Sequence, residues 1–273
     1  MKSDKHVHSP YCPHGSNDGF EEYIGRAIEL GMEAITFTEH APLPEGFADP
    51  APEKDSGMDP LLLMDYFREI ESLKRAYKDK ITIKAGLEID YIEGFEKETK
   101  ELLDRIGKFL DDSILSVHFL HAKENWYCMD FSDDVFGELS RISGSVDNVY
   151  NMYYSAVEKS IDADLGVYKP ARIGHITLAH KFQLNYPSRR NFVYRLHAIL
   201  HQVRRKGYQL DYNAAGLFKP LCREPYPPDD IAIYAKKLGI PLVYGSDAHQ
   251  AKDVGQGYKN LLPILQSPDS HSG

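Results

Sequence analysis

Short apolar runs alternate along the chain with longer segments in which apolar residues recur at helical spacing. The short runs predict seven strands, over residues 5–8, 34–38, 81–89, 114–119, 172–176, 208–212 and 241–245. The longer segments predict helices between them, over residues 20–30, 61–77, 95–110, 146–161, 192–205 and 231–238. In the first helix, Ile24, Ala27 and Ile28 recur on one face. Strands that alternate with helices predict a parallel α/β architecture.

Two of the predicted connections are long. Residues 41–59 are rich in Pro, Gly, Asp and Glu, and residues 122–144 are polar with several Gly and Ser. Each follows a predicted strand, which is where α/β barrel enzymes carry their active-site loops. No repeat or linker interrupts the pattern. We therefore expect a single domain over residues 1–265 and a frayed tail over residues 266–273.

Length, composition and charge narrow the class of protein. A chain of 273 residues with 42% hydrophobic and 27% charged residues has the composition of a globular protein and the length of one α/β barrel. A net charge of −9 without a basic run argues against general binding to nucleic acid or membrane surfaces. We see no signal peptide or membrane-spanning run, so we expect a cytoplasmic protein. The cysteines, at positions 12, 128 and 222, are too far apart to suggest a disulfide framework.

Histidines and acids cluster at the carboxyl ends of the predicted strands. These residues are His6, His8, His40, Glu88, His118, His175, Asn213, Asp247 and His249. Because the carboxyl ends of parallel barrel strands meet on one face, we expect them to converge on one pocket. His6 and His8 are two positions apart and therefore point to the same side of a strand. Imidazoles combined with carboxylates suit Zn, Fe or Mn better than Ca or Mg.

Other residues have weaker patterns. His197 and His201 are four positions apart on a predicted helix, but the residue after His197 is not the Glu of a zinc protease motif. We interpret this pair as helix packing. Cys12 is interpreted as a small packed side chain rather than as a reactive residue or a ligand. His121 and His180 lie near the expected pocket loops and are candidates for substrate contact.

The ordered motifs resemble those of the PHP (polymerase and histidinol phosphatase) superfamily of metal-dependent phosphoesterases. They are Asp4-x-His6-x-His8, Thr38-Glu39-His40, Gly86-Leu87-Glu88, Ser116-Val117-His118, Gly174-His175 and Ser246-Asp247-Ala248-His249. Segments 11–15, 37–42, 86–91, 114–118 and 225–227 are similar to the histidinol-phosphatase branch. The resemblance spans residues 4–249. It implies a distorted, TIM-barrel-like (β/α)7 barrel, which agrees with the seven predicted strands.

The resemblance also implies a trinuclear cluster of transition metals, which would be Zn, Fe or Mn. Carried over by position, the ligand sets are His6, His8, Glu88 and Asp247 for the first metal, Glu88, His118 and His175 for the second, and His14, His40 and His249 for the third. All of these positions hold residue types that bind metals. The motifs leave the identity of the metals and the oligomeric state open.

The activity implied by the resemblance is hydrolysis of a small phosphomonoester, namely histidinol phosphate in histidine biosynthesis. Bound metals would lower the pKa of a water molecule to about 7 for attack on phosphorus. Asp247 or His249 would relay a proton to the leaving alkoxide. Arg172, three residues before His175, is the first candidate for a catalytic phosphate clamp because Arg can engage two oxygens. Further candidates for substrate contact are Lys181, Arg190 and Asn213.

Two other functions remain open. One is a PHP-type phosphoesterase that acts on nucleotides or other small phosphate esters, and the other is a non-catalytic metal-dependent binding protein. The acidic charge disfavours the first, and the intact ligand set disfavours the second. A pocket selective for histidinol phosphate needs an acid or a carbonyl for the ammonium group of the substrate. The long loops hold the candidate acids Glu45, Glu53, Asp55, Glu124, Asp130 and Asp133.

Overall fold

The computed structural model describes residues 2–267 and has the expected alternation of strands and helices. Its strands are Ser3–Val7 (β1), Ala34–His40 (β2), Thr82–Asp90 (β3), Ile114–Ser116 (β4), Phe119–Ala122 (β5), Asn125–Cys128 (β6), Arg172–Ile173 (β7), Gln209–Asn213 (β8) and Leu242–Gly245 (β9). Seven of them form one parallel sheet in the order β1-β2-β3-β4-β7-β8-β9. Each overlaps one of the seven predicted strands, so that prediction is confirmed.

The sheet curls until its first and last strands meet. Val7 forms a parallel bridge with Ala248. The backbone N–H of Asp247 donates to the carbonyl of His6 at 2.8 Å, and that of His8 donates to the carbonyl of Ala248 at 2.9 Å. These contacts make a nearly closed barrel of seven strands and confirm the predicted distorted, TIM-barrel-like fold.

The helices are Phe20–Glu29 (α1), Leu63–Tyr77 (α2), Glu96–Ile106 (α3), Asp133–Ser143 (α4), Val146–Asp162 (α5), Val193–Lys206 (α6), Asp229–Lys237 (α7) and Tyr258–Leu265 (α8). The six predicted helices correspond to α1, α2, α3, α5, α6 and α7. Each buries an apolar face against the barrel. On α1, Ile24 and Ala27 are buried as expected, whereas Ile28 lies at the exposed edge of that face.

Residues 122–144 are more ordered than their polar composition indicates. They contain β6, which pairs antiparallel with β5, and the helix α4. The hydroxyl of Ser132 caps α4 by accepting a hydrogen bond from the N–H of Val135 at 3.2 Å. The helix buries only Phe136 and Leu139. An apolar face this short leaves little periodicity in the sequence.

The carboxyl-terminal part of the chain adds one further helix. Pro263 interrupts the sequence pattern of α8, which the sequence analysis did not predict. Most of the predicted tail, residues 268–273, lies outside the described residues, and the domain bounds of residues 1–265 stay a prediction. Within residues 2–267, no helix combines the length and the apolar character needed to cross a membrane.

Gly174 makes room for a hydrogen bond between neighbouring strands. A Cβ atom at Gly174 would lie 2.1 Å from the hydroxyl oxygen of Ser116. That hydroxyl donates to Oε1 of Glu88 at 2.6 Å. Because β4 and the segment after β7 approach so closely, a larger residue at this position must displace Ser116.

We therefore expect Gly174→Ala to lower the free energy of unfolding by about 1–3 kcal/mol, the usual cost of overpacking. Chemical denaturation followed by circular dichroism measures this change. The control is Gly25→Ala in the interior of α1, where no described atom other than those of adjacent residues and the surrounding helix backbone lies within 4 Å of the new Cβ. This control should raise the stability by up to about 1 kcal/mol. If Gly174→Ala proved as stable as the wild type, Ser116 would have room for a Cβ atom at position 174.

Candidate metal centre

The carboxyl ends of the barrel strands surround a polar cavity of about 620 Å³. All nine predicted metal ligands lie at this end of the barrel. Seven of them line the cavity, namely His14, His40, Glu88, His118, His175, Asp247 and His249. His6 and His8 are fully buried next to them. The fold thus brings together side chains that are dispersed from position 6 to position 249.

The carboxylate of Glu88 lies between two groups of imidazoles. Its Oε2 is 3.4 Å from Nε2 of His6 and 3.6 Å from Nε2 of His8. Its Oε1 is 2.9 Å from Nε2 of His175 and 3.8 Å from Nε2 of His118. Because each oxygen faces a different group, Glu88 has the geometry of a bridging ligand.

Asp247 completes the group that contains His6 and His8. Its Oδ1 lies 3.2 Å from Nε2 of His8 and 3.6 Å from Nε2 of His6. The backbone of Asp247 has a φ of +56°, in the left-handed region that residues other than glycine seldom adopt. Such conformations often occur at functional sites. Here the turn after β9 places the carboxylate beside the imidazoles at the end of β1.

A third group of side chains lies around His8. The ring centroid of His8 is 4.3 Å from that of His40 and 3.9 Å from that of His249. The ring of His14 is 5.0 Å and 5.1 Å from the same two rings. His8, Cys12, His40 and His249 offer ligand atoms that all lie within 4.8 Å of one another. The predicted third set is therefore close together, and the structure adds the thiol of Cys12 to it.

Three buried carboxylates outside the predicted ligand sets hold imidazoles by Nδ1. The pairs are Asp211 with His6 at 2.8 Å, Glu39 with His8 at 3.2 Å and Asp90 with His118 at 2.6 Å. In each pair the carboxylate accepts a hydrogen bond from the imidazole Nδ1–H, which leaves Nε2 facing the centre. Contacts of this kind fix the orientation of metal-binding histidines and raise their basicity.

These three carboxylates are not among the site residues predicted from the sequence. Asp90 and Asp211 lie two positions from the strand-end residues Glu88 and Asn213, whereas Glu39 directly precedes His40. Side chains two apart on a strand share a face, and a buried imidazole that binds a cation needs a hydrogen-bonding partner. This spacing is the signal that the sequence offers for Asp90 and Asp211.

Electrostatic interactions between carboxylates and imidazoles determine the pKa values in the first two groups. Burial lowers the pKa of His6, but the charges of Asp211, Asp247 and Glu88 outweigh it and raise that pKa to about 10. Burial raises the pKa of Glu88, but the positive imidazoles around it hold that pKa well below its usual range. The same field that favours protons on these imidazoles favours metal cations in their place.

Two imidazoles of the third group, those of His40 and His249, have the opposite character. Burial and the positive charge of His8 lower the pKa values of His40 and His249 well below the usual range. Both imidazoles are therefore neutral, and neutral imidazole is the form that binds metals.

The donor atoms fit transition-metal ions. Within residues 2–267, His6 Nε2, His40 Nδ1 and His175 Nδ1 are buried without a hydrogen-bond partner. Leaving a buried polar atom unpaired costs about 1–3 kcal/mol, and a metal ion would remove that cost for a nitrogen that binds it. Imidazole nitrogens combined with carboxylate oxygens are typical ligands of Zn, Fe and Mn.

Arg172 lies at the start of β7, away from the strand ends that form the cavity. Its Nη1 donates to the carbonyl of Lys5 at 2.9 Å, and its Nη2 is 3.2 Å from Oδ1 of Asp112. Its side chain is 1% exposed. The predicted role of Arg172 as a catalytic phosphate clamp is therefore wrong, because three residues along a strand span about 10 Å.

Two further substrate-contact predictions are also wrong. Asn213 is fully buried, and its Nδ2 donates to Asp211 Oδ2 and Asp247 Oδ2, both at 3.1 Å. It therefore positions carboxylates of the centre and does not line the cavity. Arg190 lies on a surface loop with 67% of its side chain exposed, and its Nε is 3.7 Å from Asp147.

Lys181 is the predicted substrate residue that does line the cavity. Its ammonium group is 2.9 Å from Oδ2 of Asp130, which lines the cavity as well. Burial lowers the pKa of Lys181, but the charge of Asp130 outweighs it and raises that pKa. Of the six acids considered on the long loops, Asp55 and Asp130 line the cavity.

The remaining histidines pack elsewhere. His197 stacks on Tyr234 with 3.8 Å between the ring centroids, and His201 Nε2 is 3.2 Å from the Tyr234 hydroxyl. Their interpretation as helix packing is confirmed. His121 and His180 contact other side chains and are not part of the cavity lining.

We expect Asp211→Asn to weaken metal binding by about 10–100-fold, because the carboxamide removes the charge that His6 Nδ1 faces. Elemental analysis of the metal retained during titration with a chelator measures this effect. The control is Asp229→Asn, since Asp229 accepts a hydrogen bond from the Tyr212 hydroxyl at 2.6 Å outside the centre. Equal metal retention by the two variants would contradict the role of Asp211.

Known proteins are similar to this chain along nearly its whole length. The PHP domain model matches residues 4–215, and a PHP-associated model matches residues 229–268. A histidinol-phosphatase from Bacillus subtilis is 47% identical over 96% of this chain and 98% of its own length. A histidinol-phosphatase from Lactococcus lactis is 30% identical over 92% of this chain and 85% of its own length.

Solved structures share the fold. A candidate histidinol phosphatase from Listeria monocytogenes superposes with a TM-score of 0.91 and 37% identity, over 95% of this chain and 99% of that one. The histidinol phosphate phosphatase of Lactococcus lactis, complexed with zinc, L-histidinol and phosphate, has a TM-score of 0.70 and 24% identity over 97% and 92% of the two chains. From the family model, the relatives and the arrangement of the nine ligand-type side chains, it follows that this chain belongs to the PHP domain family.

Proposed function

We propose that this protein hydrolyses L-histidinol phosphate to L-histidinol and phosphate, as a step of histidine biosynthesis. The observation that carries the proposal is the position of Glu88, whose two carboxylate oxygens face separate imidazole groups next to a cavity. Two metal positions joined by a shared ligand are typical of enzymes that cleave phosphate esters. The 47% identity to the Bacillus subtilis histidinol-phosphatase supports the choice of substrate.

The proposal includes a trinuclear metal cluster with one ion in each of the three groups described above. The first ion would be held by His6, His8, Glu88 and Asp247, the second by Glu88, His118 and His175, and the third by His40, His249 and His14. The bound ions supply Lewis-acid activation of water and neutralise charge on the phosphoryl group. Zinc is one of the three metals that this donor set suits, and the Lactococcus lactis enzyme binds zinc.

Residues of the chain would bind and orient the phosphate ester. Lys181 presents a point charge that suits a phosphoryl oxygen, and Asp130 holds its ammonium group in place. Asp247 and His249 reach the cavity with 17% and 31% of their side chains exposed. These two residues are our candidates for relaying a proton to the leaving alkoxide.

The cavity also carries groups that suit the rest of the substrate. L-histidinol phosphate has an ammonium group and an imidazole beside its phosphate. The carboxylates of Asp55 and Asp130 line the cavity and would pair with the ammonium group. The rings of Phe119, Phe131 and Tyr226 line it too and offer faces and edges for an imidazole. A site with polar partners of this kind rejects analogues that lack the matching groups by up to ~10⁴-fold.

We expect Glu88→Gln to lower kcat/KM by at least about 100-fold. This loss should exceed that caused by removing an outer carboxylate such as Asp211, because the substitution at Glu88 removes one charge from two metal positions. The bound metal should also fall by more than it does in Asp211→Asn. Steady-state kinetics and elemental analysis measure the two effects. His197→Ala is the control, since His197 stacks on Tyr234 outside the cavity, and it should keep near wild-type turnover. Near wild-type turnover in both variants would exclude the bridging role.

We expect kcat/KM for L-histidinol phosphate to exceed that for serine phosphate and for a nucleoside monophosphate by at least about 100-fold, since those esters lack the imidazole side chain. Strong chelation should abolish the turnover of all three esters.

The outcomes of this comparison separate the three functions considered above. Comparable kcat/KM values for all three esters would leave only a broad PHP-type phosphoesterase. No turnover of any ester by the metal-loaded protein would instead indicate a binding protein.

A further inference from the structure

The thiol of Cys12 lies inside the third group of side chains. Its sulfur belongs to a set in which the ligand atoms of Cys12, His8, His40 and His249 are within 4.8 Å of one another. The side chain is buried, and it also lies beside the imidazole of His14. A packed cysteine of the kind expected from the sequence would have apolar neighbours, whereas this one is surrounded by imidazoles.

The backbone holds Cys12 in this position. Its N–H donates to the carbonyl of Ser9 at 3.0 Å, and its carbonyl accepts from the N–H of Gly15 at 3.1 Å. Ser9 is itself fixed, because its hydroxyl donates to Oε2 of Glu39 at 2.6 Å. Cys12 forms no disulfide with Cys128 or any other described cysteine. The turn therefore presents a free thiol to the centre.

His8 is already engaged in the first group. Its Nδ1 is 3.2 Å from Glu39, and its Nε2 is 3.2 Å from Asp247. His40 lies at the border of the two groups, because its Nδ1, a buried nitrogen without a hydrogen-bond partner among residues 2–267, is 3.3 Å from Oε2 of Glu88. The side chains left for a third ion are thus His40, His249, the nearby His14 and the thiol of Cys12.

The charge of the third group leads to the same conclusion. The first group contains the carboxylate of Asp247, and the second contains that of Glu88. Within the described residues, the compact third group has a thiol and imidazoles but no carboxylate. The carboxylates of Glu88 and Asp247 lie 3.3 Å from His40 Nδ1 and 3.6 Å from His249 Nδ1, but they belong to the other two groups, so a thiolate would supply a negative charge within the third group itself.

We propose that Cys12 binds the third metal ion as a thiolate, together with His14, His40 and His249. Binding breaks the S–H bond, releases that proton to solvent and forms a sulfur–metal bond in its place. The inference rests on the metal cluster of the proposed function and adds a ligand to it. One sulfur and three nitrogens form a four-ligand set that suits zinc, whereas manganese prefers oxygen ligands. The third position should therefore select zinc more strongly than the two positions that contain carboxylates.

The test uses the full chain loaded with Co²⁺, which gives a thiolate-to-cobalt charge-transfer band when sulfur is a ligand. Wild-type protein should show this band, and Cys12→Ser should lose it while the visible d–d bands of cobalt at the other positions remain. Cys128→Ser is the matched control and should keep the band, because Cys128 also lines the cavity but belongs to none of the three groups. X-ray absorption at the zinc edge of the wild-type protein should show one sulfur neighbour at about 2.3 Å from a fraction of the zinc, and this measurement needs no variant.

Each outcome bears on the proposal separately from the enzymatic activity. Persistence of the band in Cys12→Ser, or full cobalt loading of the wild type without a band, overturns the thiolate ligand and leaves the cluster intact. Failure of the wild type to bind cobalt or zinc overturns both. Loss of the band in Cys12→Ser supports the ligand even if histidinol phosphate is not hydrolysed, in which case only the proposed function fails.

Discussion

The buried carboxylate of Glu88 connects two imidazole groups that come from distant parts of the sequence. Its orientation depends on a hydrogen bond from Ser116, and that hydroxyl fits only because Gly174 has no side chain. Three strands of the barrel thus fix one side chain. Its charge is uncompensated by solvent, so the imidazoles around it, or the cations that they bind, have to balance it.

Three further carboxylates outside the ligand sets balance positive charge on the imidazoles. Asp211, Glu39 and Asp90 each contact the Nδ1 atom of one imidazole, so that charge alternates from the outer carboxylate to the ring and then to the centre. Asn213 connects two of the acids through its amide group. A rigid barrel is well suited to this network, because strand register sets the relative positions of all its members.

The sequence made the strands, the barrel and the convergence of the nine ligand-type residues predictable, because parallel strands place their carboxyl ends on one face. It did not show which end of a short strand a residue occupies. Arg172, predicted to clamp phosphate, instead begins β7 and contacts Lys5. The environment of Cys12 was also hidden, since the turn that brings it to the imidazoles is closed by contacts between Ser9, Glu39 and Gly15.

Closure of the barrel between β1 and β9 has a consequence for how the protein is made. On a ribosome, His6 and His8 emerge early, but Asp247 and His249 follow only after more than two hundred further residues. Until then β1 has an open edge and its imidazoles lack the carboxylate of Asp247, so a nascent chain cannot assemble the complete centre. Metal capture and the final long-range pairing of the chain are therefore coupled. The pairing of β1 with β9 is therefore the last step that closes the barrel, and until it forms this edge is the part of the chain most open to a protease.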